Sequence, residues 1–549
     1  MGHDDDASHG WHYADVWDLI AELRPAQDAL VHGDRRTSWS AFRDRAGALA
    51  SSLVAGGAGP GDRVAQYLYN SPEYLEVTYA AYQAGLTPVN TNYRYRADEL
   101  AYLWTNADAV AVVFHGAFTD TVDSVRDRVP TLRRWLWVDD GSGPCPDWAE
   151  PYEAIAGAAA AGPYQPSWGR SGDDIVMIYT GGTTGMPKGV MWRHDDMYRS
   201  FNAVGDPDDR DLDAVRDRLG AEGEPPVGIP GSPLMHATGY MFAKSMLTQG
   251  GTVVTLPDRH FDVRSLLETI EREGVTTVAI VGDAFARPIL EALDASPQRW
   301  DLSSLQLLVS AGVMWSGETK AGLARHLPGT LFADLLGSTE AHGMGSSVSG
   351  AGSDPNTARF SLGAHAMVID DGGNVLGPGG TGLLAVGGPG PVGYHKDPDK
   401  SAATFRTVAG RRVSVPGDWA RVGDDGSITL LGRGSLCINT GGEKVFPEEV
   451  EEALETHPAV RDSTVVGVPD PAFGEAVGAV VSLVGDDLVT ADDLIVHVKG
   501  RIAGYKAPKH VLIVDDVERS PNGKADYAGA RRRLLDHLSA TSPASAQSD

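Results

Sequence analysis

The sequence predicts an α/β protein, with a large N-terminal domain of α/β layers, a β-rich subdomain within it, and a small α+β domain at the C-terminal end. Three observations carry this. Apolar, β-branched runs alternate with helical patterns through the first part of the chain, as in substantially parallel sheets. From Asp370 onward, turn-rich stretches (DDGGN, GPGGTG, GGPGPVG) separate short apolar runs. The texture changes again after Gly432-Arg433.

In chain order, strands are expected at Ala109 to Phe114, Ile175 to Thr180, Thr252 to Leu256, Val275 to Val281 and Leu305 to Ser310. One helix is legible in detail: Asp262 caps it, Leu266, Leu267 and Ile270 share a face, and Gly274 ends it. The charged and Pro/Gly-rich stretch between Phe201 and Gly231 reads as a solvated surface helix and loop. Beyond Gly432, Pro447 opens a helix, STVVGVP follows as a strand, Ala491 to Ile502 form a second helix, HVLIVDDV another strand, and a basic helix follows Asp526. This divides the chain into a domain over 1–432, a hinge at 433–435, a small domain over 436–535 and a disordered tail over 536–549.

Composition narrows the function classes. The 549 residues, 42% of them hydrophobic, suffice for more than one core. Lysine and arginine number 46 against 74 acidic residues, a net charge of −28, so the overall field repels nucleic acid and anionic lipid. An anionic small substrate would need a focused local site. The two cysteines, Cys145 and Cys437, form neither a disulfide framework nor a metal cluster. The acidic N-terminus lacks signal-peptide features, and no run reaches the roughly 18 apolar residues of a membrane span. A cytoplasmic protein is expected.

The segment Tyr179 to Gly189, YTGGTTGMPKG, follows a predicted strand and mixes glycines, hydroxyls and a lysine. Glycines admit close backbone approach, threonines donate and the lysine supplies charge, a combination that wraps phosphate oxygens. It is not the P-loop of NTP hydrolases, which needs Gly-Lys followed by Ser or Thr; Lys188 lies between Pro187 and Gly189.

This loop resembles the signature of the adenylate-forming superfamily of acyl-CoA synthetases, adenylation domains and luciferases. Four more segments resemble that superfamily's motifs in order: LLGSTEA (Leu335 to Ala341), VPGDWA (Val415 to Ala420), GRGSLCINTGGEKVFPEEVE (Gly432 to Glu451) and RSPNGKADY (Arg519 to Tyr527). The resemblance implies that Thr180, Gly181, Gly182, Thr183, Thr184 and Lys188 hold the β- and γ-phosphates of ATP, with Glu340 and Thr184 on Mg2+. It makes Gly312, Val313, Asp334, Leu335, Leu336, Gly337, Ser338 and Thr339 the nucleotide wall, and Asp418 with Arg433 the ribose site. Lys524 becomes the cation bridging carboxylate and α-phosphate, and His236 guards the mouth of the acyl site. Met235, Thr238, Gly239, Tyr240, Asp283, Phe285, Ala311 and Met314 would line the acyl pocket. The resemblance also makes the C-terminal domain mobile: it rotates about the hinge residue Ser435 and replaces Lys524 with Gly441, Gly442 and Lys444 along the path of the coenzyme A thiol. Two positions depart from the pattern: Ser435, where Asp or Lys is common, and Leu336, where an aromatic commonly stacks on adenine.

The implied function is an acyl-CoA ligase of the branch handling fatty and polycyclic, steroid-side-chain-like acids, with ATP/AMP, Mg2+ and coenzyme A as cofactors. Alternatives are a ligase confined to thioesterification and fed by a partner adenylating enzyme, an enzyme loading a carrier-protein thiol, and a non-catalytic ligand-binding protein. The last would need loss of Lys188, Glu340 or Lys524, and all three are present. A homodimer is the oligomer considered.

Overall fold

The computed structural model describes residues 10–541 except 159–161, 181–185, 202–211, 222, 314, 354–357, 441–442, 471–473, 486–488 and 521–522; of Ser435 and Lys444 it describes the backbone. Three sheets organise these residues. The first has a parallel centre of Thr252–Thr255, Val227–Pro230, Thr277–Ile280, Leu307–Ala311 and Leu331–Leu336. It then turns antiparallel through Gly345–Ser349 and Arg359–Leu362 into the β-rich subdomain, which includes Asp418–Val422 and Ile428–Arg433. The second sheet runs from Lys188–Arg193 and Ile175–Thr180 through Thr87–Asn90 and Arg63–Tyr67 to Ala109–His115. The small domain's sheet centres on Gly474–Leu483, antiparallel to Val460–Asp470 and parallel to His510–Val514.

All five expected strands form, Ile175–Thr180 with the expected ends and the others with ends moved by one or two residues, as Thr277–Ile280 and Leu307–Ala311 illustrate. Their near-continuous apolar sequences fit strands covered on both faces; all four residues of Thr277–Ile280 are buried. The helix Val263–Glu273 forms as expected. Asp262 Oδ1 accepts the Ser265 N–H at 2.7 Å, Leu266, Leu267 and Ile270 are buried, and Gly274 closes the helix at φ 59°.

Three expectations need correction. The helix Leu212–Ala221 is not merely solvated: Val215 and Leu219 are buried in the main core, and the Leu219 carbonyl accepts Arg24 Nη2 at 2.7 Å. The second small-domain helix stops at Lys499, and its following strand at Val514. The last helix spans Tyr527–Thr541, so the segment 536–541, read as tail, is helical. Ala530 and Leu534 anchor that helix against Val466, Val468, Ala476 and Val480. Among the described residues no helix is long and apolar enough to cross a membrane.

Candidate active site

A cleft of about 1090 Å³ opens between the large domain and the C-terminal segment. Thr180, Gly312, Val313, Asp334, Leu335, Leu336, Gly337, Ser338, Thr339, Glu340, Asp418 and Arg433 line one wall; Glu448, Arg519, Gly523 and Lys524 line the other. Sequence segments more than three hundred residues apart thus meet on one concavity.

Thr180 and Lys188 are cross-strand partners where the antiparallel strands Ile175–Thr180 and Lys188–Arg193 meet. Gly181, Gly182, Thr183 and Thr184 lie outside the described residues. Lys188 Nζ pairs with Asp397 Oδ2 at 2.6 Å, which holds that carboxyl below its usual range. Glu340 is fixed from two sides: its Oε1 accepts the Tyr394 hydroxyl at 2.9 Å, and its backbone carbonyl accepts Ser414 Oγ at 2.6 Å. The preceding carbonyl, of Thr339, accepts Trp192 Nε1 at 2.9 Å. One carboxylate oxygen of Glu340 therefore stays open to a cation, and the hard, anionic donor suits Mg2+.

Asp418 and Arg433 are register partners on adjacent strands, and Arg433 Nε donates to Asp418 Oδ1 at 3.2 Å. Asp418 Oδ2 is buried without a partner. An orphaned buried carboxylate oxygen costs on the order of 1–3 kcal/mol unless a ligand donates to it. A ribose diol supplies such donors, so this wall fits a nucleotide.

Lys524 lines the cleft. Burial pushes its ammonium pKa down, Arg433 adds to that, and Glu340 and Asp418 oppose it. Its loop is docked by Gly523, at φ +72°, where a Cβ would lie 3.0 Å from Ala284 Cβ and 3.2 Å from the Val281 carbonyl oxygen. His236 begins the helix Ala237–Thr248, and burial, then Lys524, pushes its pKa down to about 3. The ring is neutral at pH 7, with Nε2 buried and unpartnered.

The acyl-pocket residues divide. Met235, Thr238 and Gly239 stay together beside His236; Gly239 packs where a Cβ would approach the Ser232 and Pro233 carbonyl oxygens at 2.7 Å. Thr238 faces Gly312, and Ala311 ends the strand leading to it. Tyr240 instead points into the main core and hydrogen-bonds Tyr82 Oη at 2.8 Å. Phe285 packs against Phe261 in the core behind the first sheet. Asp283 lines the cleft, but its carboxylate accepts the Ser316 N–H at 3.1 Å and pairs with Arg287 at 3.3 Å, which makes it a helix-start anchor. Asp334 pairs with the buried Lys320 at 3.1 Å, and burial raises its pKa to about 6. Met314 lies outside the described residues, as do Gly441 and Gly442, while the Lys444 backbone belongs to the strand Glu443–Val445.

Sequence reasoning missed Asp397 and Tyr394, which hold Lys188 and Glu340 from a strand and helix cap more than fifty residues from either. It also missed Glu448, whose Oε2 is buried and unpartnered in the cleft. Only its place in FPEEVE could have signalled it.

A nucleotide-shaped wall, an antiparallel strand pair with a lysine at its end and a second lysine delivered from a small domain define an enzyme that activates carboxylates with ATP. Accordingly, residues 18–393 match the model of the AMP-binding enzyme family and residues 449–524 that of its C-terminal domain, and the chain belongs to this family. It is an acyl-CoA synthetase, an acid–thiol ligase using ATP, Mg2+ and coenzyme A. The chain is 38% identical to a medium/long-chain-fatty-acid/3-oxocholest-4-en-26-oate CoA ligase of Mycobacterium marinum, over 95% of this chain and 96% of that protein. It is likewise 38% identical to the 3-oxocholest-4-en-26-oate CoA ligase of Rhodococcus rhodochrous, over 94% and 95%. Among solved structures it resembles ATP-bound MatB from Rhodopseudomonas palustris, with TM-score 0.78 and 26% identity over 95% of this chain and 99% of that one. In fold it also matches the anthranilate CoA ligase AuaEII, with TM-score 0.83 and 22% identity over 98% and 99%.

Proposed function

We propose that the protein activates a hydrophobic carboxylic acid, fatty or polycyclic, as its acyl-adenylate and then transfers the acyl group to coenzyme A. The convergence of Thr180, Glu340, Asp418, Arg433 and Lys524 on one cleft, with Lys188 the cross-strand partner of Thr180, carries this reading, and the relatives' acids give it its substrate class. Asp418 and Arg433 hold the ribose, Thr180 to Thr184 and Lys188 the outer phosphates, and Glu340 with Thr184 the Mg2+. Lys524 places positive charge where carboxylate oxygen meets the α-phosphorus, and as that bond forms pyrophosphate leaves with its charge already countered. His236, neutral and buried, shields the mixed anhydride from water. The coenzyme A thiol then displaces AMP after the C-terminal domain turns about Ser435 and brings Gly441, Gly442 and Lys444 to the cleft. The division is a domain over 1–432, a hinge over 433–435 and a small domain from 436.

This reading places the enzyme in the cytoplasm. The test incubates the pure protein with ATP, coenzyme A and linear, aromatic and polycyclic acids, assaying pyrophosphate and thioester separately. Both products, strongest with long-chain or polycyclic acids, are expected. Thioester formed only from supplied acyl-AMP would overturn the adenylating half, and preference for a carrier-protein thiol would overturn the coenzyme A half.

A further inference from the structure

The loop Gly231–Met235 leaves a strand of the first sheet and ends at His236. Ser232, Leu234 and Met235 are buried, so their backbone groups need partners. Asn70, three residues beyond the strand Arg63–Tyr67, and Asn90 of the second sheet supply them. Asn70 Oδ1 accepts the Leu234 N–H at 2.7 Å and Nδ2 donates to the Ser232 carbonyl at 3.2 Å.

Asn90, the last residue of Thr87–Asn90, does more. Its Nδ2 donates to the Met235 carbonyl at 2.7 Å and to the Tyr179 carbonyl at 2.9 Å, while its Oδ1 accepts the Tyr179 N–H at 2.7 Å. Two carbonyls and one N–H around the carboxamide fix its orientation, because a flipped amide would set oxygen against oxygen. Tyr179 immediately precedes Thr180, and Met235 immediately precedes His236. One carboxamide therefore bonds the backbone at the root of the phosphate loop and at the root of the acyl-site helix.

We propose that Asn90 is a positioning residue that fixes the spacing between the ATP phosphate site and the acyl site, through its bonds to Tyr179 and Met235. The proposal rests on the site reading above. Asn90 touches no reacting atom. It sets where Thr180 and His236 stand relative to each other, and an in-line attack depends on that spacing: a displacement of about 1 Å can lower rate on the order of a hundredfold. Asn70 grips the acyl loop alone and serves as the comparison.

The test is steady-state pyrophosphate release by Asn90→Asp and Asn70→Asp, varying ATP and the best acid of the panel, with Tm measured alongside. Asn90→Asp keeps size and the acceptor for the Tyr179 N–H but faces two carbonyls with a carboxylate oxygen. It is expected to lower kcat by up to about a hundredfold and to raise the KM of both ATP and acid by about tenfold, whereas Asn70→Asp raises that of the acid alone. Asn90→Gln, with the same carboxamide displaced by one methylene, replaces it where the aspartate variant does not fold, with the same expectation. Unchanged kcat and KM values with a lowered Tm, or a KM rise confined to the acid with kcat unchanged, would overturn the proposal by making Asn90 a purely structural or one-sided contact. Lys188→Ala separates this from failure of the site reading: a normal KM for ATP there sinks the reading, whereas a raised one beside an unaffected Asn90→Asp sinks the coupling alone.

Discussion

Lys524 and Asp418 show how single polar atoms divide the chemistry. Burial and Arg433 disfavour the Lys524 ammonium and Glu340 and Asp418 only partly oppose them, so a developing anion beside it would favour the charged form. Lys524→Ala is expected to slow acyl-adenylate formation by roughly 10²–10³ while leaving conversion of supplied acyl-AMP to acyl-CoA largely intact. Stopped-flow assay of the two half-reactions decides this, and equal loss of both would contradict an ammonium acting only in the first. Asp418 carries the opposite lesson, since its Oδ2 lacks a partner until a ligand donates to it. Asp418→Asn removes the charge and turns one acceptor into a donor, which should raise the KM of ATP by about tenfold with that of the acid unchanged. A change shared equally by both substrates would place Asp418 in the scaffold instead.

At the scale of elements, Gly523 couples a turn of the small domain to the large one. Gly523→Ala puts a Cβ at φ +72° and 3.2 Å from the Val281 oxygen, so the loop bearing Lys524 must lift away. Adenylation should fall by about tenfold or more with thioesterification of supplied acyl-AMP spared; a variant that adenylates normally would show that this contact does not seat Lys524. Local elements of this kind were legible in advance to differing degrees. The helix begun by Asp262 and ended by Gly274 was readable because its cap, apolar stripe and stop are all short-range. The same logic failed for Phe285 and Tyr240, since which face of a helix meets the cleft depends on neighbours from distant strands. Val215 and Leu219 were invisible for a related reason: two apolar residues in a charged segment acquire meaning only when Arg24 and the first helix, Tyr13–Leu23, pack on them. Motifs located Lys188, Glu340 and Lys524, whereas Asp397, 209 residues from Lys188 in sequence, needed the fold.

For the whole molecule, the seam between domains concentrates ionisable groups. Glu448, Glu451 and Glu455 occur three and four residues apart on the helix Pro447–Glu455 and so share a face. Arg287 of the large domain approaches Glu455 at 3.7 Å and also donates to the Arg461 carbonyl, while Arg519 is engaged by Asp462. Burial, reinforced by Asp283 and Asp462, pushes Glu455 up to about 8; burial also pushes Glu448 up to about 7 and raises Glu451. A carboxyl whose folded pKa is raised contributes stability that is fully present below its unfolded pKa of roughly 4.3 and is lost as pH rises through the folded value. Buried histidines act oppositely: His115, His236 and His342 are pushed down to about 4, 3 and 4, so their contribution is present above roughly 6.5 and lost toward acid. Between about pH 4.5 and 6.5 the two sets offset each other; above about 6.5 the histidines are neutral in both states, while the glutamates are opposed by Lys244 and Lys524, whose ammonium groups burial pushes down. The glutamates' share of the stability therefore declines from about pH 6.5 to 8.5. Glu455→Gln removes one of those protons and should flatten the slope by up to about 1.4 kcal/mol per pH unit, read from urea denaturation at several pH values. An unchanged slope would mean that Glu455 is ionised at neutral pH, with Arg287 outweighing its burial at the seam.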